Sequence, residues 1–164
     1  MTTNNQLSIL FVCLGNICRS PLAAAILRHH LAEKDMTTRI RVDSAGTGNW
    51  HVGSAADPRS ISVAKTNDIT LDGRARQVTQ EDFHDFDYIF AMDRQNFKDL
   101  ETLQERYGGK ANIKLFREFD TATESALDVA DPYYGGTTGF QDLFEILDRT
   151  CWMIIDHLIE EATT

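Results

Sequence analysis

The first apolar run of the chain, Leu7–Cys13, carries no charge and is too short for a helix, the pattern of a strand buried on both faces. A loop containing Gly15 and Asn16 follows, and Ser20-Pro21 then opens a helix through about Lys34. Serine as the cap and proline at the first helical position are both strong start signals. The same succession recurs down the chain. Arg39–Ser44 predicts a second strand, Asp57-Pro58 repeats the cap-plus-proline signature of a helix to about Asn67, and Thr79 to His84 predicts a short helical turn. Asp87–Met92 predicts a third strand, and Asp93 caps a helix ending near Tyr107, before Gly108-Gly109. Ala111–Phe116 predicts a fourth strand. From Phe119 to Gly136 the pattern is irregular, with Asp131-Pro132 and a paired glycine turn. Thr138, with Gln141 three residues later, forms a capping box for a last helix ending near Glu161.

Strands alternating with helices predict an α/β fold: a single-domain, four-stranded parallel sheet with helices on both faces, flavodoxin-like or Rossmann-like, its crossovers right-handed. Ligands in such sheets sit at the carboxyl ends of the strands, so a phosphate loop between the first strand and first helix is expected, with Cys13 at its mouth. No linker or repeat divides the 164 residues, and residues 7–161 are read as one domain between a flexible tail at 1–6 and a short tail at 162–164. A composition of 42% hydrophobic and 25% charged residues is that of a globular chain. No apolar stretch approaches the roughly 18 residues of a membrane span, and the N-terminus lacks the pattern of a signal peptide, which reads as cytoplasmic. Sixteen basic against 25 acidic residues give −9, a surface that repels a nucleic-acid backbone, so any anion handled here needs a concentrated local site. Three cysteines make no disulfide framework and fit a reducing compartment.

That local site is readable at Val12 to Pro21. Gly15 and Asn16 are the residue types that most cheaply take positive φ and so turn successive N–H groups into one concavity. The helix N-terminus adds unpaired N–H groups and about half a positive charge. Together they form an anion cradle suited to phosphate, to which Arg19 adds a planar two-pronged donor. Cys13 at its mouth is held toward the thiolate, a nucleophile facing a bound phosphorus. Ser20 can donate its hydroxyl to that sulfur. No lysine and hydroxyl residue follow a glycine-rich loop in the nucleotide-hydrolase pattern, and no cysteine and histidine spacing makes a zinc set, so no metal and no cofactor is expected.

The segment Cys13-Leu14-Gly15-Asn16-Ile17-Cys18-Arg19-Ser20-Pro21 resembles the signature of the low-molecular-weight protein tyrosine phosphatases. The likeness runs from about Leu7 to Glu160 through Asp43-Ser44-Ala45-Gly46 with Trp50, Ala75-Arg76-Gln77, Asp87-Tyr88-Ile89 with Ala91-Met92-Asp93, and Asp131-Pro132-Tyr133-Tyr134. The resemblance implies a metal-independent phosphatase that cleaves protein phosphotyrosine and small aryl phosphates through a phosphocysteine, with inorganic phosphate as product. It makes Cys13 the nucleophile, Arg19 the phosphate clamp, and Asp131 the acid for phenol departure and then the base for water. Such an acid is needed because phenol ionises only near pH 10. Leu14, Gly15, Asn16, Ile17, Cys18 and Ser20 are expected to bind substrate, with Trp50, Tyr133 and Tyr134 walling the crevice against the ring. Ile17 separates the chain from the arginine-phosphatase branch, where the resemblance would predict threonine, and the absence of further cysteines between Cys18 and Cys151 disfavours arsenate reduction. A reversible Cys13–Cys18 disulfide is a further implication, the alternative being that Cys18 faces the core. Partners implied are phosphotyrosine-containing proteins, a tyrosine kinase among them, with no nucleic acid or membrane and a monomer or weak homodimer. One departure stands out: Leu71-Asp72-Gly73-Arg74 occupies the place of a histidine that braces the loop asparagine in many members. His29, His30, His51, His84 and His157 are scattered and read as surface or packing residues. A flavodoxin-like electron carrier would use the same loop but has little use for Cys13 and Arg19, and an inactive binding module has no need of Cys13 and Asp131.

Overall fold

The computed structural model describes residues 6–122, 127–134 and 137–163. Its strands are β1 (Leu7–Cys13), β2 (Ile40–Gly46), β3 (Tyr88–Ala91) and β4 (Asn112–Leu115). Its helices are α1 (Arg19–Glu33), α2 (Pro58–Thr66), α3 (Asp82–Asp85), α4 (Arg94–Tyr107) and α5 (Thr137–Thr163). The sheet order is β2-β1-β3-β4, every pair parallel, as the alternation of elements predicts. β1 is therefore central, which explains its apolar run from Ile9 to Cys13. Ile9 and Phe11 face the core formed with α1, α2 and α5, while Leu10 and Val12 face the other, formed with Phe83 and Leu100. Each such fully buried side chain contributes about 1.5–3 kcal/mol by leaving water. The neighbours of β1 end within one residue of each other: Cys13 pairs with Gly46 on one side and Val12 with Ala91 on the other. The carboxyl ends of three strands thus open together beneath one crevice.

The boundaries follow local chemistry. Asp57 and Asp93 cap α2 and α4 as expected, accepting from the amides of Arg59 (2.9 Å) and Asn96 (2.7 Å). Gly108, at φ 73, ends α4. Ser20, however, is no cap: α1 begins at Arg19, and its capping position, Cys18, makes no side-chain bond to the helix. The Ser20 hydroxyl is instead committed to the thiol of Cys13, as described below. The short helix starts later than Thr79 because Asp82 reaches back to the Thr79 amide (2.8 Å) and holds the preceding turn open. β2 runs to Gly46, two residues past the predicted end, because the last residues of β2 pair along the end of β1. Between β4 and the acid-bearing loop, Phe116–Phe119 form one turn of 3-10 helix. The last helix starts at Thr137, so Thr138 lies in its first turn rather than at the cap; its side chain, Gly135-Gly136 and the tail at 1–5 lie outside what is described.

Candidate active site

The loop from Leu14 to Cys18 is fastened by its carbonyls. The Cys13 oxygen accepts from Thr47 N–H, Leu14 from Gly48, Ile17 from Asp57, and Cys18 from the Ser60 hydroxyl, at 2.8–3.2 Å. Among the described residues, the N–H groups of residues 15–18 donate to no protein acceptor. A loop whose carbonyls are tied back and whose amides are left over is an anion receptor. Asn16 alone supplies the positive φ, at 57°. Gly15, expected to share that conformation, does not; its lack of a side chain makes room for His51, whose Cδ2 would stand 3.0 Å from a Cβ there.

Asn16 is 2% exposed and sits behind the loop rather than in the crevice. Its Nδ2 donates to Ser20 Oγ (2.8 Å) and Ser44 Oγ (2.9 Å), and its Oδ1 accepts from the Arg76 backbone N–H (3.0 Å). The Arg76 guanidinium is in turn clamped by Asp82 at 2.9 and 3.0 Å and by Asp43 at 3.1 Å. The brace expected of a histidine at position 73 is thus supplied by the next backbone segment. Gly73 itself has φ 95 and leaves open space where a Cβ would be. Because Ser20 accepts from Asn16, its own proton is free for Cys13 Sγ at 3.0 Å or, less closely, the Ala45 carbonyl at 3.3 Å. Ser20 therefore touches the Cys13 sulfur and does not itself line the crevice.

Arg19 is 2% exposed, and its Nη1 donates to Asp93 (2.7 Å) and to the Val129 carbonyl (2.9 Å), leaving Nη2 near Asp131 Oδ2 at 3.6 Å. Burial works against its charge, but Cys13, Asp93 and Asp131 outweigh that effect and hold the guanidinium more firmly protonated than usual. Val129 is locked by its amide to the Met92 carbonyl (2.7 Å), and Asp128 accepts from the Arg94 amide (2.8 Å). This docks the loop carrying Asp131 against the end of β3. Asp131 Oδ1 accepts from the Tyr133 amide (3.0 Å), and Arg59, ion-paired to Asp57, donates to the Tyr133 carbonyl (3.0 Å). The Asp131 side chain stays 43% exposed at the crevice.

These residues share a cavity of about 420 Å³ lined by Cys13, Ile17, Arg19, Trp50, Asp131 and Tyr133, with Leu14, Gly15, Cys18, His51 and Tyr134 completing its wall. Every predicted site residue except Asn16 and Ser20 lines it. Cys13 and Cys18 are both reduced and buried. Burial first, then Asp57, Asp131 and Cys13, push the Cys18 thiol up to about 12, with Arg59 opposing, so Cys18 is a neutral thiol beside the cradle. No group of three or more histidine, cysteine or acidic side chains that could hold a metal occurs among the described residues. Four residues were not expected here. Asp93, read only as a helix cap, also anchors Arg19; its position at the end of β3, next to β1, was the available signal. Ser44 and Arg76 brace Asn16, and His51 packs on Gly15 and faces Tyr133 at 6.3 Å between ring centres.

Comparison with known proteins places this geometry. A family model described as low molecular weight phosphotyrosine protein phosphatase matches residues 8–163. A relative of that description from Schizosaccharomyces pombe is 45% identical over 145 residues, 88% of this chain and 90% of the relative. A protein tyrosine phosphatase from Entamoeba histolytica, solved with Hepes in its active site, superposes with a TM-score of 0.88 at 40% identity, covering 96% of this chain and 99% of that one. A Drosophila arginine phosphatase superposes at 0.87 with 32% identity, covering 92% and 96%. With a strand-end thiol, a buried arginine and a docked acid on one crevice, and a match along nearly its whole length, the chain belongs to the low molecular weight phosphotyrosine protein phosphatase family.

Proposed function

We propose that Cys13, Arg19 and Asp131 carry out a two-step hydrolysis of phosphotyrosine in proteins, and of small aryl phosphates, without a metal. The phosphoryl group sits in the amides of residues 15–18 with Arg19 spanning two of its oxygens, where these donors stabilise charge that grows in the transition state. The Cys13 thiolate attacks phosphorus as the bond to the phenolic oxygen breaks, and Asp131 hands its proton to that oxygen. Such an acid contributes about 10²–10⁴-fold. The Asp131 carboxylate then takes a proton from water as the water oxygen attacks the phosphocysteine, which releases inorganic phosphate and returns the sulfur to a thiolate. The Ser20 hydroxyl, 3.0 Å from Sγ, stabilises the sulfur as a leaving group.

The observation that carries this reading is the convergence of thiol, guanidinium and carboxylate on one crevice floored by unpaired amides. Ile17, 8% exposed on the crevice wall, offers an aryl ring an apolar face and favours phosphotyrosine over phosphoarginine. Trp50, Tyr133 and Tyr134 extend that face outward, and the same exposed tyrosines suit a weak self-association. Phosphorylated tyrosine kinases of the cytoplasm fit the substrate class, and the reading extends to a protective Cys13–Cys18 disulfide under an oxidant such as peroxide, the two thiols lining one crevice. The test is turnover of p-nitrophenyl phosphate and of phenyl phosphate, whose leaving phenol is more basic, with reductant and chelator by the native chain, Cys13→Ser and Asp131→Asn. Expected are activity in the first, none in the second, and a loss in the third that grows with the basicity of the leaving phenol. Activity in Cys13→Ser would overturn the mechanism.

A further inference from the structure

A second groove of about 340 Å³ lies beyond the outer wall of the crevice, between the loop after β2 and helix α4. Leu14 and Trp50 line both cavities, so the groove continues the phosphate site rather than standing apart from it. Leu103 and Thr102 of α4 form its far side, and Asp99, one turn earlier, supplies its only charged group. Leu14 is 42% and Trp50 71% exposed, unusual for large apolar side chains this close together. Trp50 is nonetheless positioned: its indole lies over the backbone of Gly48, where a Cβ would fall inside the ring. One face of the partition between the two cavities therefore meets the substrate ring and the other is left for something else. The described partner of the Asp99 carboxylate is the neutral Gln95 carboxamide, at 2.9 Å, so its charge is not neutralised.

Resting on the phosphotyrosine reading above, we propose that this groove is a substrate subsite for a lysine or arginine side chain flanking the phosphotyrosine. A long basic side chain matches it part by part. Its methylenes lie along Leu14 and Leu103, as such stems commonly lie on apolar surface. Its cation reaches Asp99 and the indole face of Trp50, which attracts cations through the ring quadrupole. A purely apolar side chain would strip water from Asp99 without compensation, and an acidic one would meet both Asp99 and a chain of net charge −9. The phosphoryl group and the flanking cation thus have opposite sites on the two sides of Trp50, which gives the bound peptide a direction.

The experiment measures phosphate release from alanine-flanked phosphotyrosine peptides in which arginine or glutamate is moved through three positions on either side. The native chain, Asp99→Asn and Asp99→Lys are compared, with p-nitrophenyl phosphate as a substrate that has no flanks. The native chain should prefer arginine over alanine at one position by roughly five- to tenfold in kcat/KM, the scale of one exposed ion pair with one cation–π contact. Asp99→Asn should lower that preference to about twofold or less, and Asp99→Lys should turn it toward glutamate. All three chains should hydrolyse p-nitrophenyl phosphate alike. A flat peptide profile in the native chain, or an arginine preference that survives Asp99→Asn, would overturn the subsite. Absence of p-nitrophenyl phosphate turnover in the native chain would instead overturn the phosphatase reading itself.

Discussion

Replacing Asn16 separates the conformation of the phosphate loop from its hydrogen bonding. Asn16→Gly keeps the left-handed backbone at φ 57 but removes the carboxamide that joins Ser20, Ser44 and the Arg76 amide. The two hydroxyls can turn to other partners. The Arg76 N–H cannot, and a part-buried donor left without an acceptor costs about 1–3 kcal/mol. Asn16→Ala loses the same bonds and must also hold a Cβ in the left-handed region, at about 1–2 kcal/mol, of which a stiffer unfolded chain recovers roughly 0.4–1. Alanine should therefore be less stable than glycine by about 0.8 kcal/mol, and both less stable than native by about 2 or more. Their rates should fall together. Without Asn16 nothing directs the Ser20 proton to Cys13, and a hydrogen bond to a charged acceptor is worth about 1.5–3 kcal/mol, or roughly 10–100-fold in kcat. Urea unfolding gives the first comparison and p-nitrophenyl phosphate turnover the second. A glycine variant with native kcat would refute the link from Asn16 through Ser20 to the sulfur. An alanine variant at least as stable as glycine would refute the backbone argument.

Gly46→Ala should destabilise by about 1–3 kcal/mol and depress turnover as well, because the new Cβ would lie 2.7 Å from the Leu14 carbonyl and displace the loop that holds the phosphate; a native melting temperature would contradict this close approach. Asp120 tests pH dependence. Burial would raise its carboxyl, but bonds from Arg149, the Ala122 amide and Arg117 outweigh burial and hold it below the usual carboxylate range. A depressed carboxylate stabilises the fold above its unfolded value of about 3.9 and loses that contribution as pH falls through the folded value. Asp120→Asn should thus cost about 2–3 kcal/mol at neutral pH, with the gap to native narrowing below about pH 4 in urea titrations. A gap that does not change with pH would show that charge is not what Asp120 contributes.

Much of this was legible in the sequence because it is local. β1 has the predicted bounds, Asp57 and Asp93 cap as their residue types dictate, and Cys13, Arg19 and Asp131 meet where a parallel sheet places its ligands. What was misread depends on partners far along the chain. Ser20 looks like a cap from its neighbours alone; only the folded strand end puts Cys13 within 3.0 Å of it. Gly15 signals positive φ by type, yet what it makes room for is His51, delivered by the loop after β2. The Arg19 contacts of Asp93 and the brace of Asn16 on Arg76 span 74 and 60 residues, beyond any periodicity or spacing rule. Groups that bind substrate directly carry a motif, whereas those that steady them are chosen by tertiary neighbourhood.

The tie between Arg19 and the Val129 carbonyl spans 110 residues, and it has a bearing on synthesis as well as on chemistry. The thiol and its cradle leave the ribosome early, but β3, which flanks β1, and the acid loop follow much later. At typical elongation rates those 110 residues take on the order of ten seconds. For most of the first 74 of those residues β1 lacks one of its two neighbours and the clamp lacks Asp93, and Val129 is missing until the end. A nascent chain therefore exposes a cysteine before it can bind phosphate, and activity appears only once nearly the whole chain has emerged. Any fragment ending before residue 129 should be inert, however well its N-terminal half is made.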